Sequence, residues 1–378
     1  MIYYLKYLVK SKWYFFKPRN KPVLIYDVFP KIEYLINEKE IAFFDKRNSV
    51  NFFVLIKTFL KTGLYNLKNN YIKNYFEIVS PKIVMTAVDN NYSFFKLKYI
   101  YKKAKYLCIQ GSLRDKYFLN KCKEYYKKNK EKLKADYFFV YGKNDFNELK
   151  KYINAKFIIH GSFRNNLFTK KIKKKKIKEI IFISQAANKF FFNQEKNLVL
   201  KLIEVSRILN LKFIYLLKND KQNKFLKYIL DHFKKIYEKE NFEYFIRERK
   251  KYSGNLIAKK REDVYNFLYR DAIFISLSST FAFEALCRKH KVLFFPVNNF
   301  PIENYINFKK YKKEGIFWTK KKALNSIKKK VTSIINLNHL SWSRLINNYI
   351  LDIINFQPYN KSLTSVLKKQ KINILKNI

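Results

Sequence analysis

The chain has 378 residues, 48% hydrophobic and 19% aromatic, enough to bury two domain cores and too apolar for a disordered polymer. Six Gly and seven Pro exclude collagen-like and Gly/Ser-linker architectures, and Cys108, Cys122 and Cys287 form no C-x-x-C pair, which fits a reducing, cytoplasmic compartment. The net charge of +51 rests on 80 basic residues of which only 11 are Arg, spread along the chain together with abundant Asn, Ile, Phe and Tyr, the residues of A/T-rich codons; a duplex reader would concentrate Arg on one face, so nucleic acid is not the expected partner.

Residues 2–16 interleave Lys6, Lys10 and Lys12 with aromatic and aliphatic neighbours. They fall short of the roughly 18 apolar residues of a membrane span and lack a cleavage site, and they read as an N-terminal helix that packs on the body or lies in a membrane interface. Clustered Lys makes peripheral contact with an anionic inner membrane a second expectation.

After Pro22 the run VLIYDV (23–28) reads as a buried parallel strand, and 41–44 as another. Helical spacing over 50–60 ends at Gly63, and a second helix runs from about 69 to Ser80-Pro81. The strand KIVMTAV (82–88) delivers Asp89-Asn90-Asn91 at its carboxyl end. A helix (92–103), a strand (106–109), the turn Gln110-Gly111-Ser112, a helix, a strand (137–140), a helix (145–152) and a strand (157–159) follow. Such βα alternation predicts a parallel sheet with ligands outside the carboxyl ends of its strands.

The Lys-dense stretch at 165–178 breaks the pattern and marks a boundary. A second series then runs strand 180–184, helix 195–210, strand 212–217, helix 221–239, weak strand 242–245, short helix 263–269, strand 272–276, helix 281–288 and strand 292–295. The expected organisation is a first Rossmann-like domain (1–165), a Lys-rich linker (166–178), a second Rossmann-like domain (179–317) and a helical tail (318–378) able to cross back onto the first domain.

Residues 272–296 (AIFISLSSTFAFEALCRKHKVLFFP) resemble the donor-binding segment of GT-B nucleotide-sugar glycosyltransferases and their epimerase and phosphotransferase relatives. A strand ends in a Ser/Thr-rich turn, a helix starts, a Glu follows, and the next strand begins after a basic residue. Ser278, Ser279 and Thr280 would set hydroxyls and backbone N–H groups at a helix N-terminus, an anion site for a nucleotide phosphate, with ordinary helix capping as the alternative. The resemblance implies that Glu284 accepts ribose hydroxyls.

In the first half, the segments at 48–60, 80–97, 106–115, 136–145 and 158–166 are similar to successive motifs of a bacterial surface-carbohydrate (capsule, LPS or glycan) biosynthesis transferase family, and the whole set covers most of 22–300. The implied fold is α/β and GT-B-like, two Rossmann-like domains with parallel sheets facing a central cleft. Asp89 is the expected base or acceptor-positioning carboxylate, or else a helix cap. Asn90, Asn91, Gln110, Gly111 and Arg114 are acceptor-side candidates. His160 would bind phosphate or act as acid/base, or be a satisfied structural His. Ser184, Gln185 and Lys218 are donor contacts, Lys218 as the point charge for a leaving phosphate.

Related transferases often carry Lys/Arg-x-His-Pro where this chain reads Lys218-Asn219-Asp220, which weakens a phosphotransferase reading. No G-x-G-x-x-G follows a strand and no D-x-D motif occurs, so neither nicotinamide nor an obligate divalent metal is expected, and the nucleotide sugar is a substrate and not a cofactor. The expected function is metal-independent transfer of a sugar from a nucleotide donor to a growing glycan or lipid-linked acceptor. A nucleotide-sugar epimerase or polyol-phosphate transferase of the same fold, and a basic nucleic-acid or anionic-polymer binder, are the alternatives.

Overall fold

Short strands that are apolar on both faces need cover on both faces, and here they assemble into two parallel sheets flanked by helices. The structure, a computed structural model, describes residues 11–29, 31–44, 49–114, 116–169, 176–185, 189–219, 242–248, 264–296 and 314–375. The chain forms two units, one of residues 1–169 with 357–378 and one of residues 170–356.

In the first unit the strands are β1 (Lys12–Tyr14), β2 (Val23–Tyr26), β3 (Ile41–Phe44), β4 (Ser49–Asn51), β5 (Ile83–Thr86), β6 (Lys105–Ile109), β7 (Leu133–Val140) and β8 (Ile153–Ile159). The helices are α1 (Phe52–Thr62), α2 (Leu67–Val79), α3 (Tyr92–Ile100), α4 (Lys116–Asn129), α5 (Lys143–Leu149) and α6 (Phe163–Leu167). Six strands form one all-parallel sheet in the order β3-β2-β5-β6-β7-β8. Alternation within β2 divides the core: Leu24 and Tyr26 join Phe76 of α2 and Phe94 of α3, while Val23 and Ile25 face Ile32 and Leu363. Leu363 belongs to α11 (Lys361–Lys369), the last helix of the chain, which covers the second face of this sheet.

In the second unit β9 (Glu179–Ile183), β10 (Lys212–Asn219), β11 (Phe242–Glu248), β12 (Ala272–Ser276) and β13 (Lys291–Phe294) form an all-parallel sheet in the order β11-β10-β9-β12-β13. Its helices among the described residues are α7 (Lys189–Ile208), α8 (Thr280–Cys287), α9 (Leu324–Asn336) and α10 (His339–Ile353). The indole N–H of Trp342 in α10 donates to the His290 carbonyl at 2.9 Å, pinning that helix beside β13.

Two expectations change. Residues 12–14 are a strand paired with 49–51, not the end of an N-terminal helix, and residues 1–10 lie outside the described residues. The segment expected as one tail divides at 356/357, its last part belonging to the first unit and the rest to the second. The short helix expected over 263–269 is present as a 3-10 helix over residues 264–269. The helix expected over 221–239 lies outside the described residues.

Candidate functional site

A parallel sheet leaves a crevice where successive crossovers depart in opposite directions, because the loops after those two strands diverge. The first unit reverses between β2 and β5. A cavity of about 190 Å³ opens over these carboxyl ends, lined by Val28, Phe29, Val88, Gly111, Ser162 and Arg164 among others.

A buried polar network underlies it. Asp89 is fully buried, and its carboxylate takes a two-pronged ion pair from Arg114, with the Arg114 Nε–H at 2.5 Å from Oδ2, and the Gly111 N–H at 2.9 Å. A Cβ at Gly111 would collide with the Ala87 carbonyl, so glycine is needed for the loops after β5 and β6 to touch. Gln110 is likewise spent internally: Nε2 donates to the Ser112 carbonyl at 3.0 Å and to Asp145 Oδ2 at 2.9 Å, and Oε1 accepts from the Tyr141 N–H at 2.8 Å. Asn91 caps α3 by accepting from the Ser93 N–H and donates to Asp27, while Asn90 is exposed.

In the sequence Asp145 stands only as the start of a helix. It is buried on the first turn of α5, and burial is the main cause that pushes its carboxyl up to about 7, the Gln110 hydrogen bond opposing. Nothing in its local sequence signals this, because the partner lies 35 residues away.

His160 is fully buried and serves the packing of the chain's end. Its Nδ1 lies 2.8 Å from Ser362 Oγ, which donates in turn to Gln357 Oε1 at 2.6 Å. Ser362 therefore accepts from Nδ1–H, and Nε2 is left to accept from Asn166 Nδ2 at 3.5 Å. Gln357 Nε2 donates to the Ile159 carbonyl and its N–H to Asn166 Oδ1, both at 2.9 Å. Burial lowers the imidazole to about 4, so it is neutral near pH 7. The ring thus joins the end of β8 to the start of α11, the geometry of the structural alternative for His160.

The second unit reverses between β9 and β12. Ser276 ends β12 opposite Ile183 of β9, and its hydroxyl donates to the Ile183 carbonyl at 3.0 Å while accepting the Ser279 N–H at 3.1 Å. That holds the 277–279 turn and starts α8, whose first turn is entered by Ser279 without a side-chain cap. Ser278 Oγ is buried with no hydrogen-bond partner among the described residues. Ser184, just after β9, donates to Glu195 Oε2 at 2.6 Å, and the Gln185 N–H donates to Oε1. Glu195, missed in the sequence, thereby occupies the Ser184 hydroxyl. Glu284 is buried and accepts from the Tyr265 hydroxyl at 2.8 Å, so it is not a solvent-facing residue of α8. Lys218 lies on β10, and its side chain lies outside the described residues. The structure thus gathers Ser184, Gln185, Ser278, Ser279 and Thr280 at one switch point. It separately gathers Asp89, Gln110, Gly111 and Arg114 at the other.

Two Rossmann-like halves, each an all-parallel sheet between helices, give the chain a GT-B-like fold. The fold is similar to UDP-GlcNAc 2-epimerase from Methanocaldococcus jannaschii (TM-score 0.55, 13% identity, covering 92% of this chain and 99% of that one). It is also similar to a glycosyltransferase from Rickettsia africae (TM-score 0.52, 12% identity, covering 95% and 100%). Residues 108–371 match the model of a family described as "putative O-antigen biosynthesis protein" (Lept_O_ant_chp1), and the chain belongs to that family. A search of curated proteins finds no match. Among the described residues no helix is long and apolar enough to cross a membrane, and no three His, Cys, Asp or Glu side chains are grouped to hold a metal.

Proposed function

We propose that this chain is a glycosyltransferase of surface-glycan synthesis that takes a sugar from a nucleotide-activated donor. The observation that carries the reading is the second unit's switch point, where the amino end of α8 follows directly on β12 and the buried Ser278 hydroxyl stands beside it. The N–H groups that open a helix have no intrahelical acceptor and carry partial positive charge, so a nucleotide phosphate there gains hydrogen bonds and a favourable dipole. As the sugar leaves, negative charge grows on that phosphate, and α8 with Lys218 would stabilise it, so turnover is expected to persist in EDTA.

The first unit's cavity would receive the acceptor glycan. In this reading Asp89 positions the acceptor loop through Arg114 and Gly111 and does not take the proton, because its two oxygens are already engaged. Glu284 would act through Tyr265 on the donor side.

The test is incubation with a panel of nucleotide sugars, with and without lipid-linked glycan. Nucleotide release that requires the acceptor supports the transferase. Isomerised nucleotide sugar without release would favour an epimerase, and neither product would overturn the reading.

A further inference from the structure

An amphipathic helix on a soluble domain normally turns its apolar stripe to the core. α1 does the reverse. Its inward contacts are Val54 and the polar Thr58, whose hydroxyl donates to the Val54 carbonyl at 2.7 Å and accepts from Asn74 Nδ2 of α2 at 2.9 Å. Its outward face carries Phe52, Phe53, Ile56, Phe59 and Leu60, spaced as one stripe, with Phe59 55% and Leu60 79% exposed. The turn beyond adds Leu64 and Tyr65, the latter 81% exposed.

The segment before β2 extends the patch. Asn51 Nδ2 donates to the Phe16 carbonyl at 2.8 Å, and the Phe15 ring lies 5.6 Å from that of Phe52, so residues 13–16 lie against the amino end of α1. Phe16 is 89% exposed. Charge singles out the occupant. No Asp or Glu occurs in residues 11–26 or 49–76, whereas Lys12, Lys17, Arg19, Lys57, Lys61 and Lys68 do. Bulky apolar side chains in segments whose only charged residues are cations match a bilayer surface with anionic headgroups, which takes the rings below the headgroups and the ammonium groups at them. A second copy of this chain would instead set these cations against their own kind, within a molecule already at +51.

We propose that α1, the 64–65 turn and residues 13–16 form a docking surface for an anionic phospholipid bilayer. It is independent of the nucleotide reading, since the test contains no nucleotide. The full chain is sedimented with phosphatidylcholine vesicles with and without phosphatidylglycerol. The wild type is expected to pellet with the anionic vesicles. The Phe59→Ser/Leu60→Ser and Leu64→Ser/Tyr65→Ser variants, unchanged in charge, should lose about tenfold in partitioning at an unchanged melting temperature. Leu351→Ser, exposed on the second unit, should bind as the wild type does. Equal binding by the patch variants would show diffuse charge alone and overturn the proposal. So would a wild type that ignores anionic vesicles, or a dimer that these variants dissociate without changing vesicle binding.

Discussion

The first unit buries one carboxyl and one imidazole whose protonation changes on unfolding with opposite sign, and this makes a quantitative prediction. The Asp145 carboxyl rises from 3.8 to about 7, chiefly through burial. Between those values the native state holds a proton that the unfolded chain has lost, so this group's contribution falls as pH rises, by about 1.4 kcal/mol per unit. His160 drops from 6.5 to about 4 through burial. In that window the unfolded chain holds the proton and the native state does not, so stability rises with pH at the same rate. The windows overlap from about 4 to about 6.5, where the two slopes cancel in the wild type. Asp145→Asn keeps an acceptor for Gln110 but cannot ionise, so its stability relative to wild type should increase by about 3 kcal/mol across the overlap. His160→Gln should show the opposite trend of similar size. Urea unfolding followed by circular dichroism at several pH values measures both differences, and background titrations shared with the wild type drop out. A pH-independent Asp145→Asn difference would mean that the carboxyl is ionised in the fold, and the burial argument would be wrong.

Removing Arg114 while keeping Asp89 leaves a buried carboxylate whose remaining partner among the described residues is the Gly111 N–H, so Arg114→Met should cost about 3–5 kcal/mol, or several degrees in the first unit's calorimetric transition. Asp89→Asn should cost less, and the double variant less than the sum; additive losses would refute the coupling. Gly111→Ala should cost about 1–3 kcal/mol through the collision with the Ala87 carbonyl, and an unchanged transition would show that the loops can part. Glu195→Gln should lower the melting temperature of the second unit, because the buried carboxylate accepts from both Ser184 and the Gln185 N–H.

The strands were legible where both faces are buried, because runs such as VLIY, IVMT and AIFIS have no other use in a chain of this charge. β7 and β8 begin earlier than their apolar cores, at Leu133 and Ile153, because their first halves mix polar with apolar residues near the sheet edge. β1 is three residues long and exists only through β4, far along the chain, so no local pattern announces it. The loops of the site were legible for the same reason as the strands: they follow them. The roles of their side chains were not. Asp89 stands 25 residues from Arg114, and His160 stands 202 from Ser362. A carboxylate at a strand end reads the same whether it takes a proton or holds a loop. α1 shows the converse, since its stripe was plain in sequence but not the face it turns outward.

The most direct test of the central claim is nucleotide binding at α8. The full chain is melted at fixed salt with CMP, CDP, UDP, GDP or dTDP, with short single-stranded DNA as the control. A nucleotide at a hundredfold excess over its dissociation constant adds about 2.7 kcal/mol. The account predicts that one nucleotide raises the second unit's transition, and that Ser278→Val and Thr280→Pro, which remove the hydroxyl and an N–H at the start of α8, abolish the shift. Stabilisation by DNA alone, erased by salt, or an undiminished nucleotide shift in both variants, would contradict it.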